Sequence, residues 1–386
     1  MKKVLHCCLA CFYIDNYGYQ ENVLPKMHKK LGYDVKILAS TETYVENKKL
    51  GYVEPKIYYN EDNIEVTRIP YIKWLPSKLV RKLRVYKGVK NFLKDYEPDI
   101  IFIHDLQFLS IRQIVKYAKK KNIKIYVDCH ADYVNSGRSF ISMNVLHKFI
   151  YRKCAKKIIP YTEKFFGTLP ARCEFLNEIY KVPKEKIELL VMGVDDSKFV
   201  YDDRKIIKEQ TRKIIGVSED AFLIATGGKI DLNKNIHILV QAINEISNPK
   251  IKLVVFGTIS DDLKEEFDKY KLNENILYIG WKNQEEINNI FLSADLAVFP
   301  GTHSVLWENA VGCGVPCIFK KWKGINHVDV KENCIMVEEI NKENLKNVIL
   351  DLYNDEKKYN FLLENSIQYA RKEFSYYEIA KKSIEC

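Results

Sequence analysis

The stretch 299-FPGTHSVLWENAVGCGVPCIF-319 decides the fold. An apolar run, residues 295–299, enters it and ends at Pro300-Gly301. A short loop carries Thr302, His303 and Ser304. A helix-like segment begins at Trp307-Glu308-Asn309-Ala310 and stops at Gly312 and Gly314, and residues 315–319 form the next apolar run. Strand, loop, short helix, strand is one unit of a parallel sheet. Glu308 falls at the carboxyl end of the preceding strand, where open α/β sheets bind ligands. A carboxylate there accepts hydrogen bonds from a ribose diol, and it equally complements a helix dipole. Spacing alone leaves both readings open.

Working outward, the same alternation covers the chain. In the second half, strands are expected at 222–225, 251–256 (ending at Gly257), 276–279 (ending at Gly280-Trp281), 295–299, 315–319 and 335–337. Ile236, Leu239, Val240, Ile243 and Ile246 make a helical stripe between the first two. Helices at 342–353, 357–374 and 376–383 close the chain. In the first half, strands are expected at 4–9, 34–39, 64–69, 100–103, 123–127, 158–159 and 187–191. A loop through Gly18 leads into a helix at 20–31. The polar stretch 196–212 reads as a linker or as the domain's first excursion. Two βα series of similar size predict two Rossmann-like domains facing a cleft, 1–195 and 196–370, with 371–386 as a closing helix.

At 386 residues, with 47% hydrophobic and 12% aromatic content, the chain has material for two cores. No stretch approaches the roughly 18 uncharged apolar residues of a membrane span. The start, MKKVLHCCLACFYID, reads better as a buried strand than as a signal peptide, because it lacks a small-x-small cleavage site. Ten scattered cysteines fit reduced, buried thiols in a cytoplasmic protein; Cys8-x-x-Cys11 has no second pair at ligand spacing. A net charge of +10 admits nucleic acid, an anionic membrane or phosphorylated substrates without choosing among them. Residues 78–94, KLVRKLRVYKGVKNFLK, place Leu79, Leu83, Tyr86, Val89 and Leu93 on one stripe with lysines and arginines off it. A solvated helix packed on the sheet accounts for this, as does a peripheral helix on an anionic membrane.

Residues 226–235, TGGKIDLNKN, link a strand to a helix. Backbone N–H groups at a helix N-terminus attract phosphate, and Gly228 with its neighbour lets a ligand approach. Lys229 and Lys234 flank the loop as point charges for a diphosphate. His130, in Asp128-Cys129-His130-Ala131-Asp132, sits just past a strand end, where it can hydrogen-bond a sugar hydroxyl or move a proton; a structural histidine is the other reading. His104-Asp105 repeats the pattern. No Asp-x-Asp pair and no zinc spacing occurs, so no metal is expected.

These motifs together resemble a known family. GGKIDLNKN (227–235) is similar to the G-R-L-x-x-x-K-G element of retaining GT-B glycosyltransferases of family 4. VMGVDDSKF (191–199) resembles their N-G-V-D-x-x-x-F segment, and 278–319 resembles their G-x-hydrophobic…ADL-x-hydrophobic-P…E-A-x-x-x-G-x-P stretch. The first half matches more loosely, through the Gly18 loop, PDIIFIHD (98–105) and DCHAD (128–132). The resemblance implies that Lys229 and Lys234 hold the diphosphate of a nucleotide-sugar donor and that Glu308 binds its ribose. His130 would contact the transferred sugar and orient the reacting centre, and Gly18 would admit donor and acceptor to the first strand–helix loop. Trp281 would lie near the base; Gly228, Gly257 and His303 complete the expected donor set. The final helix would return to the first domain. The implied reaction is metal-independent, retaining transfer to a surface glycan or glycolipid acceptor at the inner membrane face. One departure stands out: where the family has a second glutamate eight residues before Glu308, this chain has Pro300.

Two other classes fit less of the pattern. A GT-B sugar-nucleotide epimerase would turn over its nucleotide sugar without an acceptor. A non-catalytic protein using the basic face for nucleic acid lacks the expected aromatic–basic interleaving, so no nucleic acid is expected.

Overall fold

The computed structural model describes every residue except 46–48, 74–75, 137–138, 200, 271–272 and 385–386. The chain divides into two compact units, Met1–Val191 with Ile379–Cys386, and Met192–Glu378. The breaks fall at 191 and 378 rather than at the expected 195 and 370. The reason is local: Val194 N donates to Phe374 O at 2.9 Å and Tyr376 N donates to Val194 O at 3.2 Å, so both segments belong to the second unit.

In the first unit the strands are β1 (Lys3–Cys8), β2 (Asp34–Ser40), β3 (Glu42–Tyr44), β4 (Leu50–Tyr52), β5 (Lys56–Tyr59), β6 (Glu65–Ile69), β7 (Ile100–His104), β8 (Lys124–Cys129), β9 (Thr162–Gly167) and β10 (Ile187–Leu189). Eight of them form one sheet in the order β10-β9-β8-β7-β1-β2-β6-β5. All neighbours are parallel except β5 on β6. The sheet is buried on both faces, so its central strands read as continuous apolar runs; His6 in β1 and His104 in β7 are buried exceptions. Strand order reverses at β1, which pairs with β2 on one side and β7 on the other.

Three sequence expectations are corrected here. The strand expected at 158–159 lies at 162–167, because a helix Arg152–Ile158 runs into a tight turn, Ile159–Tyr161, carrying Pro160. Residues 78–94 are not one helix but parts of two, Ser77–Leu83 and Val89–Tyr96. Arg84 (φ 51) and Gly88 (φ 102) turn the chain between them, and Tyr86 is drawn into the core, its hydroxyl donating to Leu9 O at 2.8 Å. The stripe residues Val89 and Leu93 are buried, so 78–94 does not form one continuous amphipathic helix. A third correction concerns 196–212: a helix covers Arg204–Ile215. Its Arg212 is buried, donating to Ser293 O, Ala221 O and Asp295 Oδ2.

The second unit's strands are β11 (Phe222–Ile230), β12 (Ile251–Ile259), β13 (Ile276–Tyr278), β14 (Leu296–Phe299), β15 (Cys317–Lys320) and β16 (Cys334–Val337). They form a parallel sheet in the order β13-β12-β11-β14-β15-β16. Helices Ile236–Asn244 and Lys342–Asn354 bury Leu239, Val240, Ile243, Leu345 and Ile349 against Leu253, Val255 and Val298. β11 continues through the two glycines to Ile230, so 226–230 is strand rather than loop. The order reverses between β11 and β14. The last helix, Tyr376–Ile384, ends in the first unit, where Tyr126 Oη donates to Ile384 O at 3.2 Å. No helix among the described residues is long and apolar enough to cross a membrane.

Candidate functional sites

Open parallel sheets bind ligands beyond the carboxyl ends of the strands where the order reverses. In the second unit that place is the pair of loops after β11 and β14. They are stitched together: Thr302 N donates to Asn233 O at 3.0 Å, and Asn235 Nδ2 donates to Pro300 O at 3.1 Å. Lys234 Nζ donates to the carbonyls of Thr302 and His303 at 2.7 and 2.8 Å. Gly301 is required by this closeness, since a Cβ there would lie 2.3 Å from the Lys234 carbonyl carbon. Lys234 therefore braces the loop, with one of three ammonium donors left over; burial lowers its pKa despite nearby Asp231. Lys229 differs: its side chain is 74% exposed and its ammonium pairs only with Asp231 Oδ2, at 3.2 Å.

Glu308 lies in the first turn of the short helix Leu306–Gly312 and is fully buried. His303 Nε2 and His327 Nε2 both donate to its Oε1, at 2.7 and 2.8 Å. Burial alone would push its carboxyl up; the two imidazoles more than offset this and hold it well below the usual carboxylate range. Its Oε2 is buried with no hydrogen-bond partner, an arrangement that costs about 1–3 kcal/mol unless a donor reaches it. Trp307, buried and stacked on Phe319 at 4.5 Å, packs edge-on against His303.

Gly228 (φ 111) pairs in register with Gly257 (φ 124) on β12. A Cβ on Gly257 would lie 1.9 Å from Gly228 O, so no other residue fits. Gly280 O accepts from Gly257 N at 2.8 Å, which places the Gly280-Trp281 loop beside this pair; Trp281 is 62% exposed.

In the first unit the order reverses between β1 and β7, and β8 follows β7. His104 Nδ1 donates to Asp128 Oδ2 at 2.8 Å, and Asp105 N donates to Asp128 Oδ1 at 3.1 Å. Asp105 Oδ1 accepts from His130 N at 3.2 Å. One carboxylate thus ties the two strand-end turns His104-Asp105 and Asp128-Cys129-His130 together. His130 Nε2 approaches Asp128 Oδ2 at 3.4 Å without hydrogen-bond alignment. Burial lowers the pKa of His130, but Asp128 and Asp105 together raise it by more. Gly18 is half-buried in the loop before the helix Gln20–Lys30. The side-chain hydrogen bond shared with Cys8 and burial both push the Cys11 thiol up.

Sequence reasoning missed His327, which arrives 19 residues after Glu308 from a loop with no motif. It also missed His6 and His28. Their only signal is a histidine inside an apolar strand and another on an apolar helix face. Two trios, His104-Asp128-His130 and His303-Glu308-His327, have donor atoms within 4.8 Å of one another. In both, those atoms are engaged with each other as hydrogen-bond or charge partners.

The fold is that of the GT-B class. Across the whole chain, the structure of a glycosyltransferase from Rickettsia africae ESF-5 aligns with a TM-score of 0.69 at 16% identity, covering 100% of this chain and 97% of that one. The Anabaena Alr3699/HepE protein in complex with UDP-glucose aligns with a TM-score of 0.64 at 14% identity, covering 100% and 99%. Residues 207–372, most of the second unit, match the family Glycosyl transferases group 1. An uncharacterised glycosyltransferase of Methanocaldococcus jannaschii is 21% identical over 213 residues, 53% of this chain and 55% of that protein. The chain thus spans about half the length of this curated relative.

Proposed function

We propose that the protein is a retaining glycosyltransferase that moves a sugar from a nucleotide-sugar donor to a glycan or glycolipid acceptor without a metal cofactor. The observation that carries this is Glu308: a buried, ionised carboxylate at the sheet's switch point whose Oε2 has no donor. A ribose hydroxyl supplies such a donor, and a charge-assisted bond of that kind contributes roughly 1.5–3 kcal/mol.

The remaining roles follow from what each group has free. Lys229, exposed beside Gly228, is the cation available to the leaving diphosphate; Lys234 acts by fixing the loop that carries His303. Electrostatic stabilisation of the leaving group by cations and backbone N–H groups is the term that replaces a metal. His130, a quarter exposed and biased toward its charged form by Asp128, suits contact with the transferred sugar. In place of the family's usual first glutamate, the loop offers Pro300, whose carbonyl is taken by Asn235. The Thr302 amide and His303 Nε2 are engaged as well, so the donor sugar is held by fewer polar contacts.

A thermal-shift screen against nucleoside diphosphates and nucleotide sugars tests the reading. A ligand at 100 times its Kd adds about 2.7 kcal/mol of stability. Turnover of the responding nucleotide sugar that persists in EDTA supports the metal-free clamp, and a strict requirement for Mg²⁺ or Mn²⁺ refutes it. Turnover without any acceptor, giving an isomerised nucleotide sugar, favours an epimerase.

The proposed membrane contact rests on a different segment from 78–94. Residues 133–162 contain no acid, and Phe140, Ile141, Val145 and Phe149 are exposed there with Lys148 and Lys153 beside them. Apolar side chains amid cations suit an anionic lipid surface.

A further inference from the structure

A line of buried side chains crosses the first unit and nothing in the proposed reaction uses it. His28 Nε2 lies 3.1 Å from Ala380 O and 2.9 Å from Ser383 Oγ, on the C-terminal helix. His28 Nδ1 lies 2.9 Å from His6 Nε2, His6 Nδ1 lies 3.0 Å from His104 Nε2, and His104 Nδ1 lies 2.8 Å from Asp128 Oδ2. All five of His28, His6, His104, Asp128 and Ser383 are buried. The strands β1, β7 and β8 and the helix Gln20–Lys30 set this spacing.

The protons can be counted. A backbone carbonyl only accepts, and the Ser383 hydroxyl already points at that same carbonyl, 2.8 Å away, so His28 Nε2 carries a proton. At the other end a carboxylate only accepts, so a proton stands on His104 Nδ1. Between these ends lie two further imidazole–imidazole contacts, each needing one proton. Four hydrogen bonds therefore hold four protons on three imidazoles, and a neutral imidazole carries one. The chain has one positive charge to place, and the only carboxylate in it is next to His104.

We propose that His28, His6, His104 and Asp128 form one buried hydrogen-bonded chain, charged as imidazolium at His104 and carboxylate at Asp128, and that this pair is a positioning device for His130. Asp128, fixed as an anion, accepts from Asp105 N and faces the His130 ring, while the Asp105 carboxylate accepts from the His130 amide. The titratable groups around His104 are His6 and Cys8 on β1, Glu21 on the adjoining helix and Asp128 on β8. Burial works against its charge, and Asp128 together with Cys8 and Glu21 outweighs burial, raising its pKa to about 9. His28, with burial dominant, falls to about 4, and His6 is lowered in the same way.

The inference rests on the sugar-transfer reading only for what His130 does, and its test needs no substrate. The full chain, labelled with ¹⁵N-histidine, is followed by ¹⁵N–¹H correlation spectra from pH 6 to 8. One histidine is expected to keep both ring nitrogens protonated throughout, with its signals lost in His104→Gln. In Asp128→Asn, His104 becomes neutral and the titration midpoint of His130 falls. A wild-type spectrum at pH 8 without a doubly protonated ring overturns the proposal, and that observation needs no variant to fold. An unmoved His130 midpoint in folded Asp128→Asn overturns the positioning role. A charged His104 in a protein that turns over no nucleotide sugar leaves the chain standing and refutes the reaction.

Discussion

His303 Nε2 stands 2.7 Å from Glu308 Oε1, and the pair is closed off by His327 on the same oxygen at 2.8 Å. Glu308 follows His303 by five positions in the chain, and the loop between strand and helix folds back to join them. The consequence is a carboxylate that is ionised while buried, with one oxygen saturated and the other not. Such a group is costly for the fold and ready for a ligand.

Gly257→Ala is expected to be among the most damaging single-methyl changes in the second unit. Its φ of 124 excludes a Cβ, and the added atom would strike Gly228 O. Left-handed strain and overpacking together predict a loss of roughly 2–5 kcal/mol. Gly32→Ala, with φ 88 but nothing within 4 Å, carries only the strain, about 1–3 kcal/mol. Urea denaturation of the two variants side by side checks the difference; equal losses would show that the Gly228–Gly257 contact yields to a methyl group.

The two lysines of the 226–235 segment are expected to separate. Lys229→Ala removes an exposed side chain, so stability stays within about 0.5 kcal/mol, while affinity for a nucleoside diphosphate falls in a salt-sensitive manner. Lys234→Met loses both carbonyl contacts and lowers the melting temperature as well as the affinity. Calorimetric titration and a melting curve on each variant decide it. Loss of affinity in Lys234→Met alone would take the diphosphate away from Lys229.

The fold and the strand ends of this protein are largely readable from its residues. The 3.6- and 2-residue periods place β1, β2, β7, β12 and the helix Lys342–Asn354 within a residue or a few of their true ends. Lys229, Gly228 and Glu308 fall at the switch point because strand–loop–helix order fixes them there. What escapes is whatever depends on who sits across from whom. The stripe at 78–94 fits one helix by period, and only the tertiary pull on Tyr86 breaks it. The stretch ending at Arg212 reads as polar, and Ala221, Ser293 and Asp295, the last 83 residues away, make Arg212 a core residue. The histidine chain joins four sequence-distant segments, and no local pattern announces it.

The pH dependence of stability follows from His104. Its pKa is raised on folding, so its contribution is complete below about 6.5, the unfolded value, and is lost as pH climbs through about 9. The stability gap between wild type and His104→Gln is therefore expected to be widest near pH 6 and to narrow steadily toward pH 9.5. Denaturant midpoints at intervals of one pH unit measure it. A gap that widens with pH would mean that His104 is neutral when folded.

Vesicle sedimentation addresses the acid-free segment. Wild-type protein is expected to pellet with vesicles containing anionic lipid and to remain free of purely zwitterionic ones. Phe140→Ser combined with Phe149→Ser, both at exposed positions, should abolish binding with the melting temperature unchanged. Binding that survives in the double variant would remove this surface from the account.

The most direct test of the central claim is the affinity of the best-responding nucleoside diphosphate for Glu308→Gln. The amide keeps the size and one acceptor oxygen but loses the charge that a ribose diol engages. Because Glu308 is buried between two imidazoles, the variant is also expected to melt lower, so affinity is measured on protein verified as folded by circular dichroism. The account predicts binding weakened about ten- to a hundredfold, at 1.4 kcal/mol per decade. Unchanged affinity in a folded but less stable Glu308→Gln would make the carboxylate a purely structural partner of His303 and His327 and contradict the placement of the nucleotide.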